Sequence, residues 1–379
     1  MPEQSSTYGG MRGKKAKKSR RGEDRGGFGE GWPNPEGSDQ PKRKRRWGRI
    51  IGFTALGLVL VIIAMTIASW LWASSKVTHL GALTSYSGRP AQGVGTNWLL
   101  AGSDGRSTLT AAQQQEFHTG SSSSITGSRT DTVMILHYGA TGPDLISIPR
   151  DSLVNIPAFK DSKGVSHSAS QNKINAAYEE GGAQLLVQTV EENFGIRIDH
   201  YLEIGFLGIV DMVNEAGGVH LCLSAAIHDS YSGANLNAGC QTLNGTQALA
   251  YVRSRYSLPN SDISRMSDQQ AFIKALVNAA VRPGVYLNPF VFYPFLNAVL
   301  NSVAADDGTG LSDLLDMAWH TKPLASGGST TGTMPIANES YNVSGIGDTV
   351  QIDKTKATEV ITAINEDKKI PAGLLNYLG

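Results

Sequence analysis

Most long apolar runs of this 379-residue chain end in a charged cluster. Asp104 and Arg106 follow NWLLAGSD. Arg129 and Asp131 open DTVMILHY, and Arg150 and Asp151 follow DLISIP. Arg253, Arg255 and Arg265 follow the run LAYV. A guanidinium is a planar fork that matches phosphate oxygens. An aspartate is a hard oxygen ligand for Mg²⁺, which commonly takes one or two protein carboxylates together with phosphate oxygens and water. No Ser-His-Asp spacing stands out. The set suggests a metal–pyrophosphate site and phosphoryl transfer, in which positioning and charge stabilisation do most of the work. Arg106, Arg129 and Arg265 count with the others as candidate phosphate ligands. Taken singly, each residue has an ordinary alternative. Arg253 could be a surface arginine, Asp104 an Asx turn or helix cap, and Asp131 a strand terminator.

The stretch 249-LAYVRSRY-256 sets two guanidiniums two residues apart. In a helix such residues point about 200° from each other, and in an extended segment they share a side. Leu249, Ala250, Tyr251 and Val252 read as the entrance to a core. The expectation is an extended segment with Arg253 and Arg255 on one face.

Strand ends are where a scaffold can hold such groups together. The pattern predicts strands at 97–104, 131–138 and 144–149, the last two forming a hairpin through 139-GATGPD-144. Residues 107–128 read as a polar surface loop. A helix starts near Ile174, Ala177 and Tyr178. A stripe of Leu185, Leu186, Thr189, Val190 and Phe194 ends at Gly195. Then come a strand at 201–205, a helix at 206–217 and a strand at 218–223. Helices are expected at 265–280, 288–303, 311–319 and 354–366, with a strand at 348–353. Strands interleaved with helices argue for a single α/β/α sandwich domain around a mixed central sheet.

Net charge is zero, but residues 1–49 carry 14 Lys/Arg and 6 Asp/Glu, so the tail is basic and the remainder acidic. The tail is poor in aliphatics and rich in Gly, Ser and Pro, which predicts disorder. It could contact nucleic acid or anionic lipid, or simply set topology. Residues 50–72 form 23 positions without a charge, long enough for a bilayer core of roughly 30 Å at about 1.5 Å per residue. Six of residues 42–49 are basic, which predicts a cytoplasmic N-terminus. The expected plan is a disordered cytoplasmic tail at 1–49, a transmembrane helix at 50–72, a linker or stem at 73–95 and an extracytoplasmic catalytic domain at 96–379. Cys222 and Cys240, the only two cysteines, then lie in an oxidising compartment, where a disulfide is the simplest pairing. It would close a loop of roughly 18 residues and contribute on the order of 3 kcal/mol. A metal pair or a reactive thiol is the alternative.

The runs NWLLAGSDGR, SRTDTVMILHY, LISIPRDSLVNIP, NKINAAYEEGG, HYLEIGFLGIVDMVNEAGGVHLCL, GCQTLNGTQALAYVRSRY and DISRMSDQQAFIKALV resemble, in order and across about residues 95–283, the successive blocks of the LytR-CpsA-Psr family. The cysteine pair and the long loop after GSDGR are similar to the actinobacterial branch. The resemblance implies a membrane-anchored phosphotransferase that moves a glycopolymer from a polyprenyl-pyrophosphate carrier to a peptidoglycan hydroxyl and releases polyprenyl phosphate. It implies Mg²⁺ on Asp104 and Asp131. Arg150, Arg253 and Arg255 would grip the pyrophosphate, and Gln269 would approach it. Asp104 is the better guess for accepting the hydroxyl proton, although a Mg²⁺-bound carboxylate is a poor base. The sequence departs from the family pattern at Ser264 and Asp268. Asp268 would weaken the phosphate grip or face solvent. Apolar helices such as 290-FVFYPFLNAVL-300 would line a lipid groove or pack as ordinary core. A larger C-terminal domain, present in some relatives, is not expected. The competing readings are a polyprenyl-pyrophosphate pyrophosphatase and a membrane-bound transcription attenuator. The predicted topology weighs against the latter, so no nucleic-acid partner is expected.

Overall fold

The computed structural model describes residues 47–103, 109–118, 130–254, 261–326 and 329–376, with the backbone alone for 261–267 and 325–326. Asp104, Arg106, Arg129 and Arg255, and the side chain of Arg265, lie outside the described residues. Two compact units are distinguished, residues 1–60 and 61–379. In the first, the described part is the beginning of helix α1 (Trp47–Ser74), which has exposed side chains from Trp47 to Ala68. It is the one helix among the described residues that is long and apolar enough to cross a membrane.

The second unit is built on a seven-stranded mixed sheet. Its strands are β1 (Thr78–Leu80), β2 (Thr96–Ser103), β3 (Thr130–Tyr138), β4 (Asp144–Ile148), β5 (His200–Gly205), β6 (Val303–Asp306) and β7 (Thr330–Thr333). Their order is β1-β6-β5-β2-β3-β4-β7. β2, β3 and β4 run antiparallel in sequence, so the predicted hairpin is present. The pairings β2–β5, β1–β6 and β4–β7 are parallel.

Alternation along β2 and β3 sends side chains to both faces. Leu99, Ala101, Val133 and Ile135 enter one core with helix α3 (Ile174–Phe194) and the helix Lys354–Asn365. Trp98, Met134 and Leu136 enter another with Leu300, Leu311, Ala73 and Val77. A sheet covered on both faces explains why its central strands are almost continuously apolar. The α/β/α sandwich expected from the sequence is thus observed.

A third core joins helices α4 (Phe206–Glu215), α5 (Gly245–Arg253) and α6 (Ser261–Ala280) to the hairpin Val219–Leu223/Gly239–Leu243. On that hairpin Cys222 and Cys240 are register partners and are disulfide-bonded.

Several elements differ from the sequence reading. Segment 73–95, expected as a linker or stem, contributes the edge strand β1. It is locked down further along, where Arg89 makes an ion pair of 2.9 Å with fully buried Glu191 of α3. Residue 303, assigned to the preceding helix, instead opens β6, which pairs antiparallel with β5 and is anchored there by Asp306. Its Oδ1 accepts from the Tyr201 amide at 2.9 Å. The polar edge strand β7 carries no apolar pattern and was not predicted. The predicted loop 107–128 contains a short helix, α2 (Ala111–Glu116), with a Thr110–Gln113 capping box. Within α3, Gly182 has φ 66° and ψ −157°, a break that separates the two helical patterns seen in the sequence.

Candidate active site

Asp131 owes its position to a bulge. Gly102 pairs with Thr132 and Ser103 with Thr130, so Asp131 is the extra residue of β3. Bulges turn a side chain out of the regular alternation. Here the carboxylate turns towards the loop after β4, and Arg150 Nη1 donates to Asp131 Oδ1 at 2.6 Å.

Arg150 sits in a tight turn closed by Ser152 N donating to the Pro149 carbonyl at 3.0 Å. The start of α3 grips that turn: Asn175 N donates to the Arg150 carbonyl at 3.2 Å and Ile174 N to the Ser152 carbonyl at 2.9 Å. Arg150 Nε also reaches Asp151 Oδ2 at 3.2 Å, and Lys173 Nζ lies 3.0 Å from Asp151 Oδ1. Asp131, Arg150, Asp151 and Lys173 therefore alternate in charge along one chain of contacts. Each side chain is only partly exposed, between 16% and 26%. Such a cluster presents hard carboxylate oxygens beside fixed positive charge, which suits a phosphate held together with a hard cation. Lys173 escaped the sequence reading because nothing along the chain places NKIN next to IPRD.

The extended segment expected around Arg253 is not found. Residues 245–253 are helix α5, and Arg253 is its last residue. Ser254, the C-cap, is the first extended residue. The helix forms because Asn244 and Gln247 make a reciprocal capping box and because its apolar face is wanted. Leu249, Ala250, Tyr251 and Val252 are buried, as the sequence suggested. Arg253 is well placed for the helix dipole at a C-terminus. Its guanidinium lies 4.9 Å from the centroid of Phe206, the first residue of α4. Nη1 donates to the Phe117 carbonyl at 2.6 Å and Nη2 to the His118 carbonyl at 3.3 Å. The argument that a two-residue spacing puts two forks on one side therefore does not apply to Arg253.

Helix α6 bridges the two parts. Gln269 Nε2 is 3.5 Å from the Val252 carbonyl, one residue before Arg253. Its neighbour Gln270 donates to Ser147 Oγ at 2.9 Å and to the Gly332 carbonyl at 2.8 Å. Ser147 is in β4, three positions before Arg150. Asp268 neither faces open solvent nor meets a basic group among the described residues. Tyr251 Oη donates to its Oδ1 at 2.8 Å, and its Oδ2 is buried with no hydrogen-bond partner among the described residues. Burial pushes the Asp268 carboxyl up to about 6, partly offset by the Tyr251 hydrogen bond. Burial likewise raises the Tyr251 phenol.

Among the described residues, one group of His and Cys side chains is close enough for shared metal binding: His220, Cys222 and Cys240 on the exposed hairpin. Its two sulfurs are consumed in the disulfide. It offers no hard oxygen set.

The LytR_cpsA_psr family model matches residues 74–366. The chain is 40% identical over 295 residues to the probable cell wall biosynthesis protein LcpB of Corynebacterium glutamicum, covering 77% of this chain and 65% of that protein. It is 30% identical over 190 residues to the polyisoprenyl-teichoic acid–peptidoglycan teichoic acid transferase TagU of Enterococcus faecalis, covering 50% of this chain and 58% of that one. It thus spans less than two thirds of the length of either relative. A solved LytR-Csp2A-Psr enzyme from Actinomyces oris superposes with a TM-score of 0.56 at 21% identity, covering 76% of this chain and 96% of that structure. That likeness concerns the fold. The family model covers most of the chain, including every described strand of the central sheet, and the chain belongs to the LytR-CpsA-Psr family.

Proposed function

We propose that this protein is a phosphotransferase that moves a glycopolymer from a polyprenyl-pyrophosphate carrier to a peptidoglycan hydroxyl. The observation that carries the reading is the Asp131–Arg150–Asp151–Lys173 chain, built by a bulge and a tight turn at neighbouring strand ends. The name of one relative, a teichoic acid transferase acting on peptidoglycan, supports a transfer of this class, and that of the other, a probable cell wall biosynthesis protein, supports the process.

In this reading Arg150 holds non-bridging oxygens of the pyrophosphate. Arg253 and Arg255 hold the other side, with Gln269, and Arg106, Arg129 and Arg265 add positive charge around it. The acceptor hydroxyl oxygen attacks the phosphorus nearer the sugar and passes its proton to a carboxylate, for which Asp104 is the candidate. The bond from that phosphorus to the bridging oxygen breaks, and polyprenyl phosphate leaves with the bridging oxygen. The guanidiniums neutralise the charge that grows on the leaving phosphate.

The partly exposed carboxylate of Asp131, with its hard oxygens, fits Mg²⁺. Asp131 and Asp104 would hold the ion, which when bound neutralises pyrophosphate charge. Helix α1 would span the membrane once, with the basic N-terminus in the cytoplasm and the sheet domain outside.

The test is a transfer assay with full-length protein, synthetic polyprenyl-pyrophosphoryl oligosaccharide and peptidoglycan fragments. We expect labelled peptidoglycan and polyprenyl phosphate in equal amounts, loss of both with EDTA, recovery with Mg²⁺, and loss on Arg150→Ala. Equal activity of the Arg150→Ala enzyme would refute the reading. Phosphate release without any acceptor product would indicate a pyrophosphatase instead.

A further inference from the structure

Helix α8 (Pro289–Ser302) and the short helix α7 (Pro283–Tyr286) before it stand out on the surface. Between Arg282 and Asp306 the chain carries no charged residue. α8 turns Leu296 and Leu300 to the sheet core and Phe295 to the core around α4. The other side is not covered. Leu287 is 70% and Phe290 88% exposed, and Tyr286 and Tyr293 are also exposed. A cluster of large apolar side chains in the open marks an interaction surface.

Its neighbour on the fold names the occupant. Tyr293 Oη is 2.8 Å from Ser69 Oγ in α1, and its ring meets that of Trp72 edge-on at 6.1 Å. Ser69 lies three residues inside the last position of the uncharged stretch 50–72, about 4.5 Å along the helix axis. Trp70 and Trp72 stand at the level where a membrane-spanning helix carries its aromatic belt. Tyr293 therefore sits at belt depth. Phe290, three residues earlier, shares its face of α8. Tyr293 thus joins the exposed apolar side chains of α7–α8 to the Ser69–Trp72 turn of α1.

We infer that Tyr286, Leu287, Phe290 and Tyr293 form an interfacial platform seated in the headgroup layer of the bilayer, at the Ser74 end of α1. The inference rests on the reading of α1 as a membrane span. It differs from the sequence expectation for 290–300, which was a lipid groove or ordinary core. The inward residues of α8 are core, and the outward ones face the bilayer. Amphipathic rings are suited to this layer, where one end is apolar and the other wet.

The platform has a route to the candidate site. A side chain at Gly208 of α4 would meet Ser302 Cβ at 2.6 Å, so α4 and α8 pack almost backbone to backbone. The first residue of α4 is Phe206, which lies under the Arg253 guanidinium.

The experiment uses the full chain in phosphatidylglycerol–phosphatidylethanolamine proteoliposomes. Among the described residues there is no free cysteine, so a nitroxide label reports an introduced thiol. Labels go on Phe290→Cys, Leu287→Cys, Ile62→Cys within α1 and Glu359→Cys on the exposed side of the helix Lys354–Asn365. Collision with oxygen and with a water-soluble nickel complex reads depth. We expect labels at 290 and 287 to shift to the lipid side with 62, and 359 to stay in water. Labels at 287 and 290 reading like 359, with 62 in lipid, would overturn the platform and leave the span intact. All four in water would overturn both. Dipolar broadening between 290 labels of two chains, without the lipid signature, would assign the face to a second copy and also overturn the platform.

Discussion

Tyr251 of α5 donates its phenolic proton to Asp268 of α6 at 2.8 Å, tying together the two helices that carry Arg253 and Gln269. The carboxyl that receives it is raised from 3.8 to about 6 by burial. Between those values the folded chain holds a proton that the unfolded chain has lost. The contribution of Asp268 to stability is therefore greatest in acid, falls as pH rises from about 4 to about 6, and is flat above. Asp268→Asn keeps the acceptor for Tyr251 and removes that loss. Its melting temperature should match the parent at pH 4 and exceed it by about 2–5 °C at pH 8. A constant difference across both pH values would assign the change to packing rather than titration.

Arg89 and Glu191 form a buried pair that Tyr86 Oη and the Ile198 amide complete, each at 2.9 Å from the carboxylate. Arg89→Ala leaves Glu191 buried and charged, so unfolding should become easier by about 3–5 kcal/mol. Denaturant titration of the detergent-solubilised chain measures it. Because the pair joins segment 81–95 to α3, limited proteolysis should also begin there in the variant.

Gly245 begins α5 where a Cβ would collide with the Val210 carbonyl oxygen of α4. Gly245→Ala must push the helices apart and should cost about 1–3 kcal/mol. Thermal unfolding reads the cost. The Asn244 cap is untouched by this change, so a loss larger than that of Asn244→Ala would locate the strain in the helix contact.

Arg253 has two measurable duties. Arg253→Ala should lower transfer on the order of 10²-fold if its fork steadies the developing charge. It should also raise amide exchange in residues 111–118, since the Phe117 and His118 carbonyls lose their donor. Faster exchange with unchanged transfer would make Arg253 a positioning group for that turn alone.

The sandwich was legible because its central strands pair apolar runs with turn signals at their ends, as in β3, 139-GATGPD-144 and β4. The buried run Leu249–Val252 was legible too, but its conformation was not. Four apolar residues in a row carry no period, and the deciding signal was the Asn244–Gln247 box upstream. β6 and β7 were missed for opposite reasons. The first is apolar enough to extend the preceding helix, and the second is too polar to look like sheet. At the site, Asp131 and Arg150 were each recognisable by type, and the structure brings them into contact. Lys173 and Gln270 were not recognised, because each reaches its partner across the fold and leaves no local trace.

Only Ser75, Lys76 and Val77 separate α1 from β1, and Val77 and Ala73 are already packed in the core. A tether of three residues reaches on the order of 10 Å. Under the proposed function, such an enzyme cannot search the depth of the wall. Its acceptors are confined to strands that pass close to the bilayer, so attachment would be decided while peptidoglycan is new. A cell with older wall further out would carry polymer there only because that layer was once innermost.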